Sequence, residues 1–117
     1  LDRGHFTIPA AKAAPVGTAL AFRIVTRDAY ACVYCGVAGV ALTVDHVRPQ
    51  SHFGVGAPNT FVNAPSNLVA ACSICNGAKG PQNLLSFAAM LRGRGIHHMT
   101  VKAMLARVAA ATSAPCP

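Results

Sequence analysis

The chain has 117 residues, with Lys plus Arg at 10 and Asp plus Glu at 3, for a formal net charge of +7. That length suits one domain with a small core. The charge balance excludes an acidic disordered tail or a charge-rich coiled coil, and it points to a polyanionic partner, nucleic acid before an acidic membrane surface. The hydrophobic fraction of 53% is swollen by alanine.

In chain order, residues 1–17 are broken by Pro9, Pro15 and Gly17 and read as an extended arm bearing Arg3 and Lys12. No compact apolar stretch follows Asp2, Arg3 and His5, so no signal peptide is expected, and the start at Leu1 reads as trimmed or fused. The longest apolar region, Ala13 to Phe22, is interrupted by Pro15, Gly17 and Thr18. It falls short of the ~20 uninterrupted apolar residues of a membrane span, and no membrane partner is expected. Residues 18–29 read as a helix capped by Thr18, with Leu20, Phe22, Ile24 and Val25 as its apolar residues and Arg23 and Arg27 on a solvated face.

Residues 30–36 form a knuckle ended by Gly36. Residues 40–47 are rich in β-branched side chains and read as a strand, with Val40, Leu42 and Val44 on one face. Residues 48–66, studded with Pro, Gly and Asn, read as a long loop, and loops of that length tend to be functional. Residues 67–71 read as a second short strand. Asn76 to Lys79 begin a helix or turn that Gly80 and Pro81 interrupt. Residues 83–92 space Leu84, Phe87, Ala88 and Leu91 as one helix. Residues 100–111 space Val101, Met104, Leu105 and Val108 as another, with Thr100 as its cap.

Of five cysteines, four form two CxxC pairs, Cys32/Cys35 and Cys72/Cys75. Two such turns suit one tetrahedral Zn²⁺, each presenting two thiolates at ~2.3 Å from the metal. The odd count and the absence of a signal peptide weigh against two disulfides. A redox CxxC expects a single pair opening a helix. The stretch between the pairs is long for a zinc ribbon, so something is inserted between the knuckles. Cys116, flanked by prolines, reads as a free thiol on a frayed end.

Asp45, one of only three carboxylates, ends an apolar strand beside His46. A carboxylate can hold a hard cation such as Mg²⁺, and neutral imidazole can take a proton from water near neutral pH.

With these residues in place, the sequence resembles the HNH endonuclease family of ββα-metal fold. The resemblance runs through Arg27-Asp28-x-x-x-Cys32-x-x-Cys35-Gly36, then Leu42-Thr43-Val44-Asp45-His46-Val47-x-Pro49, then Asn67-Leu68-Val69-Ala70-Ala71-Cys72-x-x-Cys75-Asn76-x-x-Lys79-Gly80. It implies an α+β fold: a ββα-metal core over 27–80 with a four-cysteine zinc site, flanked by an N-terminal helix and by C-terminal helices over 83–111, all within one domain, 1–117.

The resemblance also implies roles. His46 would be the general base that activates water. Asp45 and Asn76 would hold the catalytic divalent metal, Mg²⁺ or another such as Mn²⁺ or Ni²⁺. Asn67 would bond backbone and hold the His loop. Lys79 would face phosphate. Arg48, two residues after His46, is expected from its own position to contact DNA, because the strand end must face substrate if His46 does. Cys32, Cys35, Cys72 and Cys75 would hold a structural zinc, which is not catalytic because a four-thiolate site is closed to water. The expected reaction is hydrolysis of a DNA phosphodiester to a 5′-phosphate and a 3′-hydroxyl, as a nick or a cut in double-stranded DNA. A single site per chain suits nicking, and a double-strand break would require a homodimer, a protein partner or two successive nicks. The rival expectation is a non-catalytic zinc-knuckle module that binds nucleic acid. Reduced cysteines and the resemblance together imply a cytoplasmic protein, bacterial or phage-encoded.

Overall fold

The structure, a computed structural model, describes residues 16–117 and the backbone of His5 and Phe6. Most of the expected arm, including Arg3 and Lys12, lies outside the described residues. His5–Phe6 forms a short strand, β1, pairing in parallel with β2, Ala41–His46. β2 pairs antiparallel with β3, Leu68–Cys72, in the register Leu42 to Cys72 through His46 to Leu68. The sheet order is β1-β2-β3.

Helix α1 spans Thr18–Arg27. Gly17, not Thr18, occupies its cap position, with no side-chain bond there. Ala21, Ile24 and Val25 form its buried stripe, while Phe22 stands 51% exposed. The spacing i, i+3, i+4 selects one helix face, and Phe22 falls off it. Past α1, Ala29 and Tyr30 adopt left-handed backbone at φ 56° and 57°. The Tyr30 N–H bonds back to the Val25 carbonyl at 3.0 Å, reversing the chain into the first knuckle.

In β2, Leu42 and Val44 are buried and Ala41 exposed, the alternation the sequence predicts. The pattern breaks at Asp45 and His46, which are both buried. All five residues of β3 are buried. One edge of β3 faces β2. On the other, the Ala70 N–H donates to Asp28 Oδ2 at 2.8 Å, the Ala70 carbonyl accepts from Val33 N–H at 2.9 Å, and the Leu68 carbonyl accepts from Arg27 Nη2 at 2.6 Å. Side chains and the knuckle thus cover an edge that would otherwise invite another strand.

The long loop carries its own structure: a 3₁₀ turn at Gln50–His52, the short helix α2 at Asn59–Val62, and a second 3₁₀ turn at Pro65–Asn67. The third helix, α3, starts earlier than the sequence suggests. It spans Ser73–Lys79, so the second knuckle is its first turn, with Cys72 as cap and its sulfur accepting from Cys75 N–H at 3.5 Å. Gly80, at φ 52°, ends it in a conformation open to glycine. Helix α4, Leu84–Gly93, is capped by Asn83. Helix α5, His98–Ser113, begins before Thr100 and is capped by His97, whose Nδ1 accepts from Met99 N–H at 3.1 Å.

Phe87, Ala88, Val101, Met104 and Val108 bring the last two helices onto a core shared with α1, β2 and β3. Cys116 packs partly buried against that core, which corrects the expectation of a frayed end. No helix among the described residues is long and apolar enough to cross a membrane.

Candidate functional site

Two antiparallel strands followed directly by α3 place the chemistry-bearing residues at three points: the end of β2, the start of β3 and the length of α3. Successive strand residues point to opposite faces. Asp45 and His46 accordingly have separate partners.

Asp45 turns toward the first knuckle and α3. Tyr34 Oη donates to Asp45 Oδ2 at 2.6 Å, and Lys79 Nζ stands 3.0 Å from the same oxygen. Lys79 also donates to the His46 carbonyl at 2.9 Å. Burial holds the Tyr34 phenol far above its ordinary range, and the Asp45 charge adds to the effect; Tyr34 stays a neutral donor. No buried side-chain nitrogen or oxygen among the described residues lacks a partner. Asp45 Oδ1, which meets no described donor, is therefore the oxygen that reaches solvent.

His46 points the other way. Its Nε2 lies 2.7 Å from Asn63 Oδ1 at the end of α2. Asn67 sits where the loop rejoins the sheet. Its Oδ1 accepts from Arg48 N–H at 2.8 Å, and its Nδ2 donates to the carbonyls of Arg48 at 3.1 Å and Val62 at 2.9 Å. The Val47 N–H donates to the Asn67 carbonyl at 2.9 Å. One amide therefore ties the residues after His46 to the residues before Asn63. The Asn76 carbonyl accepts from the Gly80 N–H at 3.0 Å, while its side-chain amide, half-buried on α3, has no hydrogen-bond partner among the described residues.

The two residues expected at phosphate are placed differently. Arg48 is exposed, with Nη2 donating to the His52 carbonyl at 2.9 Å and Cζ 4.4 Å from the centre of the Phe53 ring. Lys79 is fully buried, at 0%. Its ammonium is committed to Asp45 and to the His46 carbonyl, because a carboxylate buried this deeply requires a counter-charge. In this geometry Lys79 has no route to a phosphate.

Cys32, Cys35, Cys72 and Cys75 bring their sulfurs within 4.8 Å of one another. All are free thiols, and Cys35 Sγ lies 3.9 Å from Cys72 Sγ. Four thiolates about 2.3 Å from a tetrahedral zinc stand ~3.8 Å apart, so the set can hold one zinc ion with little movement. Burial pushes the Cys32 thiol up. Burial and then the neighbouring Cys32 sulfur push Cys75 up. Burial opposes ionisation of Cys72 too, but the Cys75 amide and the surrounding thiols donate to its sulfur and lower it below the ordinary thiol value. A dication at the centre reverses the penalty on the others.

The first knuckle is pinned from α5 as well: Arg107 donates to the Val33 carbonyl at 2.8 Å and the Tyr34 carbonyl at 2.6 Å. Sequence reasoning missed Tyr34, Asn63 and Arg107. Tyr34 was visible as a hydroxyl between two cysteines. Asn63 looked like one more turn residue in a loop rich in them, and Arg107 like any surface position on an alanine-rich helix.

A strand pair closed by a helix, with a four-thiol cluster joining its two ends and an Asp-His step at the tip of the first strand, defines a zinc-knuckle ββα class of domain. Residues 32–82 match the family model described as HNH endonuclease, the family that the motifs resemble. The matched stretch takes in both knuckles, β2, β3 and α3, and leaves α1, α4 and α5 outside. Among solved structures, the crystal structure of the Type II-C Cas9 enzyme from Actinomyces naeslundii is similar at TM-score 0.40 and 20% identity, over 76% of this chain. This chain spans 11% of that one. No curated protein matches the chain.

Proposed function

We propose that the chain is a metal-dependent HNH endonuclease that hydrolyses phosphodiester bonds in double-stranded DNA. The observation that carries this reading is the divergence of Asp45 and His46 at the end of β2. One presents an oxygen to solvent from a buried carboxylate, while the other presents an imidazole anchored through Nε2.

The donor set fits a hard divalent cation. Asp45 Oδ1 and the Asn76 amide oxygen both lack a hydrogen-bond donor among the described residues, and oxygen is the ligand type that Mg²⁺ or Mn²⁺ prefers. An ion held by Asp45 and Asn76 would supply charge neutralisation at the phosphate and Lewis-acid help for the departing 3′ oxygen. His46 takes the proton of the attacking water. Asn67 keeps the backbone after His46 in place. Tyr34 and Lys79 fix the Asp45 carboxylate, and Lys79 offsets its charge. Arg48 and the net charge of +7 favour the phosphate backbone, with little sequence preference. The products would be a 5′-phosphate and a 3′-hydroxyl.

Relaxation of supercoiled plasmid tests the proposal, with wild type beside His46→Ala in EDTA, Mg²⁺, Mn²⁺ and Ni²⁺. Cleavage by wild type alone, and only with a divalent ion, supports it, and the ratio of nicked to linear product separates nicking from double-strand cutting. Equal cleavage by His46→Ala overturns the mechanism.

One observation favours a second reading, a non-catalytic zinc-knuckle module that binds nucleic acid: Lys79 already neutralises Asp45. Retardation of the plasmid by both proteins, with no cleavage in any metal, favours that reading instead.

A further inference from the structure

The contact between His46 and Asn63 has a chemical consequence. Asn63 Oδ1 is a carbonyl oxygen and can only accept, so at 2.7 Å His46 Nε2 must carry the proton. Neutral imidazole has one N–H and one lone pair, and the lone pair is then on Nδ1. We propose that Asn63 is a positioning residue for His46: it fixes the Nε2–H tautomer and leaves Nδ1 as the basic nitrogen. The inference rests on the nuclease reading and names the nitrogen through which His46 would take a proton from water.

Asn63 is itself held by construction. It caps α2, with its N–H bonded to the Asn59 carbonyl at 2.7 Å. The preceding residue, Val62, is buried and gives its carbonyl to Asn67 Nδ2. Asn67 also clamps both backbone groups of Arg48. The path from His46 through Arg48, Asn67 and Val62 to Asn63 therefore closes on itself through the Nε2 bond. An amide held this way can orient an imidazole as a carbonyl or carboxylate bonded to the far ring nitrogen does at other histidine sites.

Long-range ¹H–¹⁵N correlation of the imidazoles tests this in the zinc-loaded protein, in mildly alkaline buffer where imidazoles are neutral. Wild type and Asn63→Asp, which keeps an acceptor of the same size, should show His46 as the Nε2–H tautomer. Asn63→Leu, which has none, should show a mixture of tautomers. In plasmid cleavage, Asn63→Leu should lower kcat about 10–100-fold with KM within a few-fold, and Asn63→Asp should recover most of that loss. A wild-type Nδ1–H tautomer overturns the inference, and so does an unchanged tautomer in a folded Asn63→Leu. The spectra require no cleavage. An inert wild type with the Nε2–H tautomer therefore rejects the nuclease reading alone, and the alternative tautomer rejects this inference alone.

Discussion

Lys79 Nζ stands 3.0 Å from Asp45 Oδ2, with side-chain exposures of 0% and 8%, and the same ammonium bonds the His46 carbonyl at 2.9 Å. A cation on the last turn of α3 thus holds the two residues that end β2. Removing one member of a buried pair leaves the other charge uncompensated, at about 3–5 kcal/mol. Urea denaturation of Lys79→Met should show a loss of that order. Adding Asp45→Asn should recover part of it, because the orphaned charge is gone, so the double variant should be more stable than the sum of the two single losses predicts. Strict additivity would show that the pair contributes nothing through its contact.

Tyr34 offers a pH signature. Its hydroxyl donates to Asp45, and its ring meets Phe87 edge-on at 5.6 Å. Tyr34→Phe keeps the ring and deletes the bond to a charged acceptor, at about 1.5–3 kcal/mol near neutral pH. Burial, and then Asp45, raise the folded-state phenol pKa. The Tyr34 contribution is therefore fully present below the unfolded phenol value of ~10 and is lost as pH rises beyond it, because only the unfolded chain then releases the proton. Stability curves of wild type and Tyr34→Phe, both zinc-loaded, should converge above pH ~10. A constant gap across that range would contradict the raised value.

The thiol cluster predicts one zinc per chain by metal analysis, lost on substitution of Cys72 by Ser. Structural zinc is worth roughly 10–16 kcal/mol in small finger peptides, as much as the whole net stability of a typical domain, roughly 5–15 kcal/mol. Chelation should accordingly unfold the first knuckle and loosen the Val33–Ala70 contact with β3. Retention of full amide protection at Ala70 and Val33 in the metal-free chain would show that the four thiols do not organise the fold.

Arg23 and Arg27 separate sharply. Arg27 is paired with Asp28 at 2.7 Å, with side-chain exposures of 2% and 1%, and it reaches the carbonyls of Pro65 and Leu68. Arg27→Ala leaves Asp28 buried with its charge unpaired and should cost about 3–5 kcal/mol. Arg23 lies exposed one turn earlier, and Arg23→Ala should stay within about 0.5 kcal/mol. Thermal melts of the two variants side by side decide the matter.

Much of the frame was legible in the residues. Helix stripes such as Val101, Met104 and Val108 follow from a period of 3.6, the alternation of Leu42 and Val44 from a period of 2, and the knuckles from CxxC spacing. These are local rules, set by a few neighbouring residues. The boundaries that moved were those set by capping chemistry. Cys72 rather than Asn76 opens α3, and His97 rather than Thr100 caps α5, because a sulfur and an imidazole accept the first free N–H groups there.

The fates of the charges were less legible. By itself the sequence determined a ββα hairpin-helix with a four-thiol cluster and an Asp-His step at its tip, because each depends on residue type and short-range spacing. Only the tertiary structure decided that Lys79 neutralises Asp45 rather than facing phosphate, that Arg27 is buried rather than solvated, and that Asn63 holds His46. A charge or amide becomes a pillar or a contact according to which partner, far along the chain, the fold carries within hydrogen-bond reach, and pairing at that range costs or gains free energy only once water has been excluded.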